Sequence, residues 1–155
     1  MEYLHPCPGA ELIVPYGARR NLYRKLGQLG HNGDDYEAPE GTPVYATAAG
    51  TVLHAGWSHD HPWLTHNAGR AVLVSHTGGD EIAGYAHLSA VAVAEGQPVG
   101  AGELLGYVGH TGTAGSDHLH FERLPAVPDF GNGYAGRIKP PAFTENTDQD
   151  KDATS

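Results

Sequence analysis

The sequence predicts an all-β fold, a compact antiparallel β-sandwich in a single domain, and three observations carry that reading. Its 155 residues include 22 glycines and 11 prolines, about a fifth of the chain where about 12% is usual. Charged residues make up 17%, short of the roughly 25% of an average domain, which disfavours a helical bundle or coiled coil. Runs with strand character recur along the chain, separated by connections too short for helical crossovers, so neighbouring strands pair antiparallel. A hydrophobic fraction of 39% is too rich for a disordered chain and sufficient for one core.

The elements follow in order. Arg19 to Leu29 carries a helix-period pattern, with Leu22, Leu26 and Leu29 at i, i+4 and i+7. It predicts a short helix whose leucines pack inward and whose Arg19, Arg20, Arg24 and Lys25 lie on the solvated face. Strands are predicted at Pro43 to Ala49, Thr51 to Ala55, Ala71 to His76, Glu81 to Leu88, Leu104 to Val108 and His118 to Leu124. Thr77-Gly78-Gly79-Asp80 suits a hairpin turn. Gly56 to Gly69, GWSHDHPWLTHNAG, has no usable period and reads as a long loop of the kind that forms functional rims. Thr144 to Ser155 has no large apolar residue and reads as a disordered acidic tail, which leaves residues 1–143 as the domain.

Charge and cysteine usage narrow the function. A net charge of −9 argues against a nucleic-acid partner, because phosphate-backbone binders depend on dense Lys and Arg surfaces. Cys7 is the single cysteine, so no intramolecular disulfide forms. The start lacks the basic segment and apolar run of a Sec signal, and no stretch approaches the roughly 18 apolar residues of a membrane span. The chain reads as a monomer with no membrane partner.

Eleven histidines are the compositional outlier, since imidazole is both the commonest metal ligand and the side chain that titrates near neutral pH. His31 and Asp35 stand in an H-x-x-x-D spacing inside GHNGDDYEAPEGTPV, a turn-rich segment where Gly33 and Pro39 oppose a helix. They can converge on a cation if the loop folds tightly, although alone they suit an ordinary polar loop. In DHLHFE, polar and apolar residues alternate, so His118 and His120 share one strand face with Leu119 and Phe121 on the other. His87 ends the alternating run GYAHLS and taken alone reads as a strand histidine.

In this order GHNGDDYEAPEGTPV, GYAHLS and EGQPVGAGELLGYVGHTGTAGSDHLHFE closely resemble the lysostaphin-type zinc endopeptidases of bacterial cell walls, the LytM or M23 peptidase family. The resemblance runs from Tyr16-Gly17 to Glu122, about two thirds of the chain. It implies a β-sandwich with long loops around a zinc groove, one Zn²⁺ held by His31, Asp35 and His120, and catalytic histidines at His87 and His118. Asp34 stands where the family often has an apolar residue, which leaves the carboxylate register between Asp34 and Asp35, with the spacing favouring Asp35. The resemblance gives no role to His5, His54, His59, His61, His66, His76 or His110, which read as structural or surface residues.

Two imidazoles and one carboxylate leave tetrahedral zinc an open position, the layout of a catalytic site. Zinc there lowers the pKa of water towards 7 and polarises a carbonyl. No HExxH glutamate is present, so His87 or His118 is left to move the proton. The resemblance implies hydrolysis of peptidoglycan stem-peptide or cross-bridge bonds; with no export signal and no wall-binding repeat evident, the chain reads as a phage-type endolysin made in the host cytoplasm or as the catalytic part of a larger autolysin, the phage lysin being favoured. Two other readings compete: an inactive LytM-like binding module, which should lack one of the five residues, and a biotinyl or lipoyl carrier. A carrier needs a lysine at a hairpin tip, and Lys25, Lys139 and Lys151 all lie elsewhere.

Overall fold

The computed structural model describes residues 2–64, 68–112 and 114–144. Nine strands and one short α-helix are found among them: β1 Glu11–Val14, α1 Arg20–Lys25, β2 Asp34–Glu37, β3 Pro43–Tyr45, β4 Gly50–Trp57, β5 Arg70–His76, β6 Glu81–Val91, β7 Pro98–Val99, β8 Leu104–Val108 and β9 His118–Pro125. All pairings between these strands are antiparallel. The strand order is β1-β2-β9-β6-β5-β4-β7, and β8 branches from β6 carrying β3. No described helix is long and apolar enough to cross a membrane.

Alternation of side chains explains both faces of the sheet. On one face Val72 and Val74 of β5, Ala83 and Tyr85 of β6 and Leu119 and Phe121 of β9 meet Val44 of β3 and Leu105 of β8 in one buried cluster. That shared cluster folds the β3–β8 branch over the main sheet, which gives the sandwich its second layer. On the other face Ala71, Leu73, Ile82, Ala86 and Leu124 are covered by Leu64, Ala68 and Trp63. The segment expected to form a rim therefore lies over this second apolar face, because Trp63 and Leu64 have apolar surface to bury there. Thr65, His66 and Asn67 of that segment lie outside the described residues.

Several expectations need correction. Helix α1 has six residues and no buried side chain, and Leu22, Leu26 and Leu29 are 50%, 65% and 52% exposed. The chain leaves the helix before Gly27, whose φ is +81°, so a helix under two turns long cannot turn a leucine stripe onto the sheet. The strand expected from Pro43 to Ala49 stops at Tyr45. Beyond it the Thr47 N–H donates to the Tyr85 hydroxyl at 2.9 Å and the Ala46 N–H to the Glu103 carbonyl at 2.8 Å, so neither continues a ladder. Strands β1, β2 and β7 escaped sequence reading, since four residues or fewer carry too little alternation. The turn at Thr77 to Asp80 is present, with positive φ at Gly78 and Gly79.

The end of the described chain is anchored. Phe143 packs on His5, Tyr36 and Phe121, and the Thr144 N–H donates to the Tyr3 carbonyl at 2.7 Å. Thr144, expected to begin the tail, thus belongs to the folded unit, and residues 145–155 lie outside the described residues. Ending the chain after Thr144 should leave Tm unchanged, whereas ending it after Ala142 should lower Tm by about 4–10 °C, the loss of roughly 2–3 kcal/mol of aromatic burial. Differential scanning calorimetry of the two truncations checks this.

Candidate metal centre and active site

The site begins with one register. Asp35 of β2 lies directly opposite His120 of β9, and Glu37 opposite His118. Period 2 sorts the side chains from there: Tyr36, Leu119 and Phe121 enter the core, while Asp35, His118 and His120 line a groove of about 250 Å³. His31 enters from the loop before β2, held by hydrogen bonds from its N–H to the Ala18 carbonyl and from the Gly17 N–H to its own carbonyl, both 2.8 Å. Gly33 makes that approach possible. A Cβ there would stand 2.3 Å from the Phe121 carbonyl oxygen and 2.9 Å from the His120 ring.

His87 reaches the groove by a break in β6. Residues Glu81 to Ala86 pair with β9, whereas Leu88 to Val91 pair with β8. Against β5 the register shifts so that Val72 opposes Tyr85 but Arg70 opposes Leu88, an extra residue on β6. His87 sits in that bulge with φ +62°, a left-handed conformation that costs a non-glycine residue about 1–3 kcal/mol. Bulges re-aim side chains, and this one brings His87 to 5.0 Å from His118 and 6.0 Å from His120, measured between ring centroids.

Hydrogen bonds fix which nitrogen each ring presents. His31 Nδ1 donates to the Val14 carbonyl at 3.1 Å, His87 Nδ1 to the Thr111 carbonyl at 2.7 Å and His118 Nδ1 to the Ser116 carbonyl at 2.9 Å. A carbonyl oxygen only accepts, so each of these rings carries its proton on Nδ1 and a lone pair on Nε2. His120 differs. Both of its nitrogens face carboxylates, Nε2 donating to Glu122 Oε1 at 3.0 Å and Nδ1 to Asp35 Oδ1 at 2.8 Å.

The electrostatics match this arrangement. Burial, helped by the neighbouring charge of His120, lowers His31 to about 4. Burial works against charge on His120 too, yet the Asp35 and Glu122 carboxylates against its two nitrogens lift it to about 9. Burial would raise Asp35, but His120, His31 and His118 outweigh it and hold the carboxyl below its ordinary range. His31 Nε2 is 3.5 Å from Asp35 Oδ2 and His118 Nε2 is 3.7 Å from Asp35 Oδ1.

His31, Asp35 and His120 each offer a ligand atom, all within 4.8 Å of one another, and form the one group among the described residues that could hold a metal ion. Two imidazole nitrogens and one carboxylate oxygen, nearly buried, suit zinc with a position left open to the groove. Asp34 is engaged elsewhere: its Oδ1 accepts the Tyr16 N–H at 2.8 Å. All five residues named from the sequence therefore meet in one groove, whose other wall includes Tyr23, Leu26 and Gln28. Sequence reading passed over Tyr23, whose ring lies 5.4 Å from that of His31, and Glu122, whose period-2 spacing from His120 was the available signal.

Three of the described histidines without an expected role are held elsewhere. His5 packs on Tyr36 and Phe143, His54 bonds the Trp57 carbonyl, and exposed His110 pairs with Asp117.

Comparison with known proteins decides the family. Residues 29–127 match the model of peptidase family M23. The chain belongs to that family. It is 39% identical over 119 residues to the DD-carboxypeptidase/endopeptidase Mpg of Neisseria meningitidis, an alignment covering 77% of this chain and 25% of Mpg. It is 39% identical over 94 residues to the peptidoglycan DD-endopeptidase ShyA of Vibrio cholerae, covering 61% of this chain and 20% of ShyA. The chain thus spans about a quarter or less of the length of these relatives. A crystallised mutant catalytic domain of the prophage-encoded M23 protein EnpA from Enterococcus faecalis superposes with a TM-score of 0.69 at 26% identity, over 91% of this chain and 96% of that one.

The left-handed bulge makes a testable demand on this M23 domain. His87→Val should be less stable than His87→Asn by about 1–3 kcal/mol in urea denaturation, because Asn tolerates positive φ and a β-branched residue does not.

Proposed function

We propose that this chain is a zinc-dependent endopeptidase that hydrolyses peptide bonds of bacterial peptidoglycan, in a stem peptide or a cross-bridge. His31, Asp35 and His120 are the proposed zinc ligands, and His87 and His118 the proposed catalytic histidines. The observation that carries this reading is the convergence of three ligand atoms, those of the two histidines buried and that of Asp35 nearly so, with two further imidazoles in a single groove. The peptidoglycan substrate is supported by the name of the ShyA relative.

Zinc, when bound, polarises a scissile carbonyl and lowers the pKa of water. The protein's own groups do the rest. His31 needs no change of tautomer to act as a ligand, because Val14 already holds its proton on Nδ1. His87 and His118 present Nε2 lone pairs on neighbouring rings. One takes the proton of the attacking water and returns it to the leaving amine, while the other, protonated, donates to the developing oxyanion. The Thr111 and Ser116 carbonyls keep the two imidazoles from rotating during the transfer.

The same reading takes the folded unit through Thr144 as the peptidase domain, acting as a monomer on the cell wall. A phage-lysin setting belongs to the same proposal and rests on the sequence reading.

Ligands and catalysts should separate by experiment. His31→Ala, Asp35→Ala and His120→Ala should each lose bound zinc on equilibrium dialysis. His87→Ala and His118→Ala should keep one zinc per chain yet lose about 10²- to 10⁴-fold in turnover of purified peptidoglycan, the usual range for acid–base catalysis. Removal of zinc by a chelator should abolish the new amino termini seen by mass spectrometry of the digest, and zinc should restore them. Zinc binding unchanged in all three ligand variants would remove the basis of the reading.

A further inference from the structure

Behind His120 lies a second charged layer that the chemistry above does not use. Glu122 follows two residues along β9 on the same face and is 1% exposed, and Arg137 is fully buried. Glu122 Oε1 accepts the proton of His120 Nε2 at 3.0 Å, and Glu122 Oε2 accepts from Arg137 Nε at 2.9 Å. The other guanidinium nitrogens donate to the Ala135 and Trp63 carbonyls, both at 2.7 Å. Arg137 stands outside the stretch that matches the family, residues 29–127. Its loop is shaped around it: Ala135 adopts φ +53°, and the Asn132 side-chain amide donates to the Arg137 carbonyl at 2.8 Å.

We infer that Glu122 and Arg137 are a positioning pair for His120, which fixes the proton on Nε2 and so commits Nδ1 to the metal. The inference rests on the metal site proposed above. His120 differs from the other three groove histidines, whose protons are fixed by carbonyls on Nδ1. A carboxylate can only accept, so Glu122 holds the proton on the nitrogen that faces it. Asp35 faces Nδ1 in the same way at 2.8 Å, but Asp35 is itself a proposed ligand, so a metal that takes its oxygen displaces the Nδ1 proton while Glu122 keeps the one on Nε2.

The carboxylate must itself be compensated, because an isolated buried charge is costly. Arg137 compensates it through a fixed fork of donors aimed at three acceptors, a geometry that a single lysine nitrogen cannot reproduce. A glutamine in place of Glu122 could turn its amide and donate, which would stabilise the opposite tautomer and put the proton on Nδ1. Carboxylate or carbonyl partners of this kind commonly orient metal-bound imidazoles, and their loss costs about 10- to 100-fold in metal affinity.

The test uses the full chain. Zinc affinity, read by competition with a chromogenic chelator, should fall about 10- to 100-fold in Glu122→Gln and by a smaller factor in Arg137→Lys. His59→Gln, at an exposed side chain beside Asp60 and outside the groove, should bind as wild type does. Long-range ¹H–¹⁵N NMR of the metal-free variant should show His120 losing the proton on Nε2 and keeping the one that faces Asp35, a change that mere loosening of the fold would not produce. Should Glu122→Gln fail to fold, the same spectrum of zinc-loaded wild type decides the matter: the proton on Nε2 supports the pair, and a proton on Nδ1 overturns it. Folded Glu122→Gln with zinc affinity within twofold of wild type and an unchanged tautomer overturns the pair alone. Wild type that binds no zinc overturns the metal site as well.

Discussion

The pairing of Asp34–Glu37 with His118–Pro125 is the constraint on which the rest depends. Its register sets Asp35 against His120 and, by alternation, sends Tyr36, Leu119 and Phe121 into the core. A slip of one residue would exchange the two faces, burying carboxylate and imidazoles among apolar side chains and exposing the aromatics. The hydrophobic effect that drives Phe121 and Leu119 inward is therefore the same force that presents the ligand atoms outward. The site needs no separate device to face the groove, only a core that tolerates one register.

Two departures from regular structure complete what the register begins. The bulge at His87 divides β6 between β9 and β8, so the point where the sheet branches is also where a third strand delivers an imidazole. The strain of its positive φ is held by a ladder on either side and by the His87 N–H bond to the Ala68 carbonyl at 2.8 Å. Gly33 supplies the other departure, an approach of backbone to β9 too close for any Cβ. Around both, backbone carbonyls hold three rings by Nδ1, and carboxylates flank both nitrogens of the fourth. Orientation comes from the scaffold, which lowers the reorganisation needed when a substrate arrives.

Much of this was legible in the sequence, and the parts that were not share a cause. The antiparallel class, five of the longer strands and the Gly78-Gly79 turn followed from composition and local pattern. His118 and His120 followed from alternation. Asp35 was legible only as a spacing, because the four-residue strand that carries it is too short to announce a period, and its partner lies 85 residues away. The leucines of α1 misled for the opposite reason: a clean i, i+4, i+7 pattern predicts a buried stripe only where the helix is long enough to lie on something. Arg137 could not be singled out at all, since a buried arginine is defined by the carboxylate it meets and not by its neighbours in sequence.

The central claim is that one metal ion sits between His31 Nε2, Asp35 and His120 Nδ1. Anomalous diffraction from crystals of the zinc-loaded protein, recorded on either side of the zinc absorption edge, tests it without reference to activity. The account predicts a single strong peak about 2.0–2.2 Å from one carboxylate oxygen of Asp35 and from those two ring nitrogens. A peak held by His120 Nε2, or one elsewhere with none at this cluster, would contradict it.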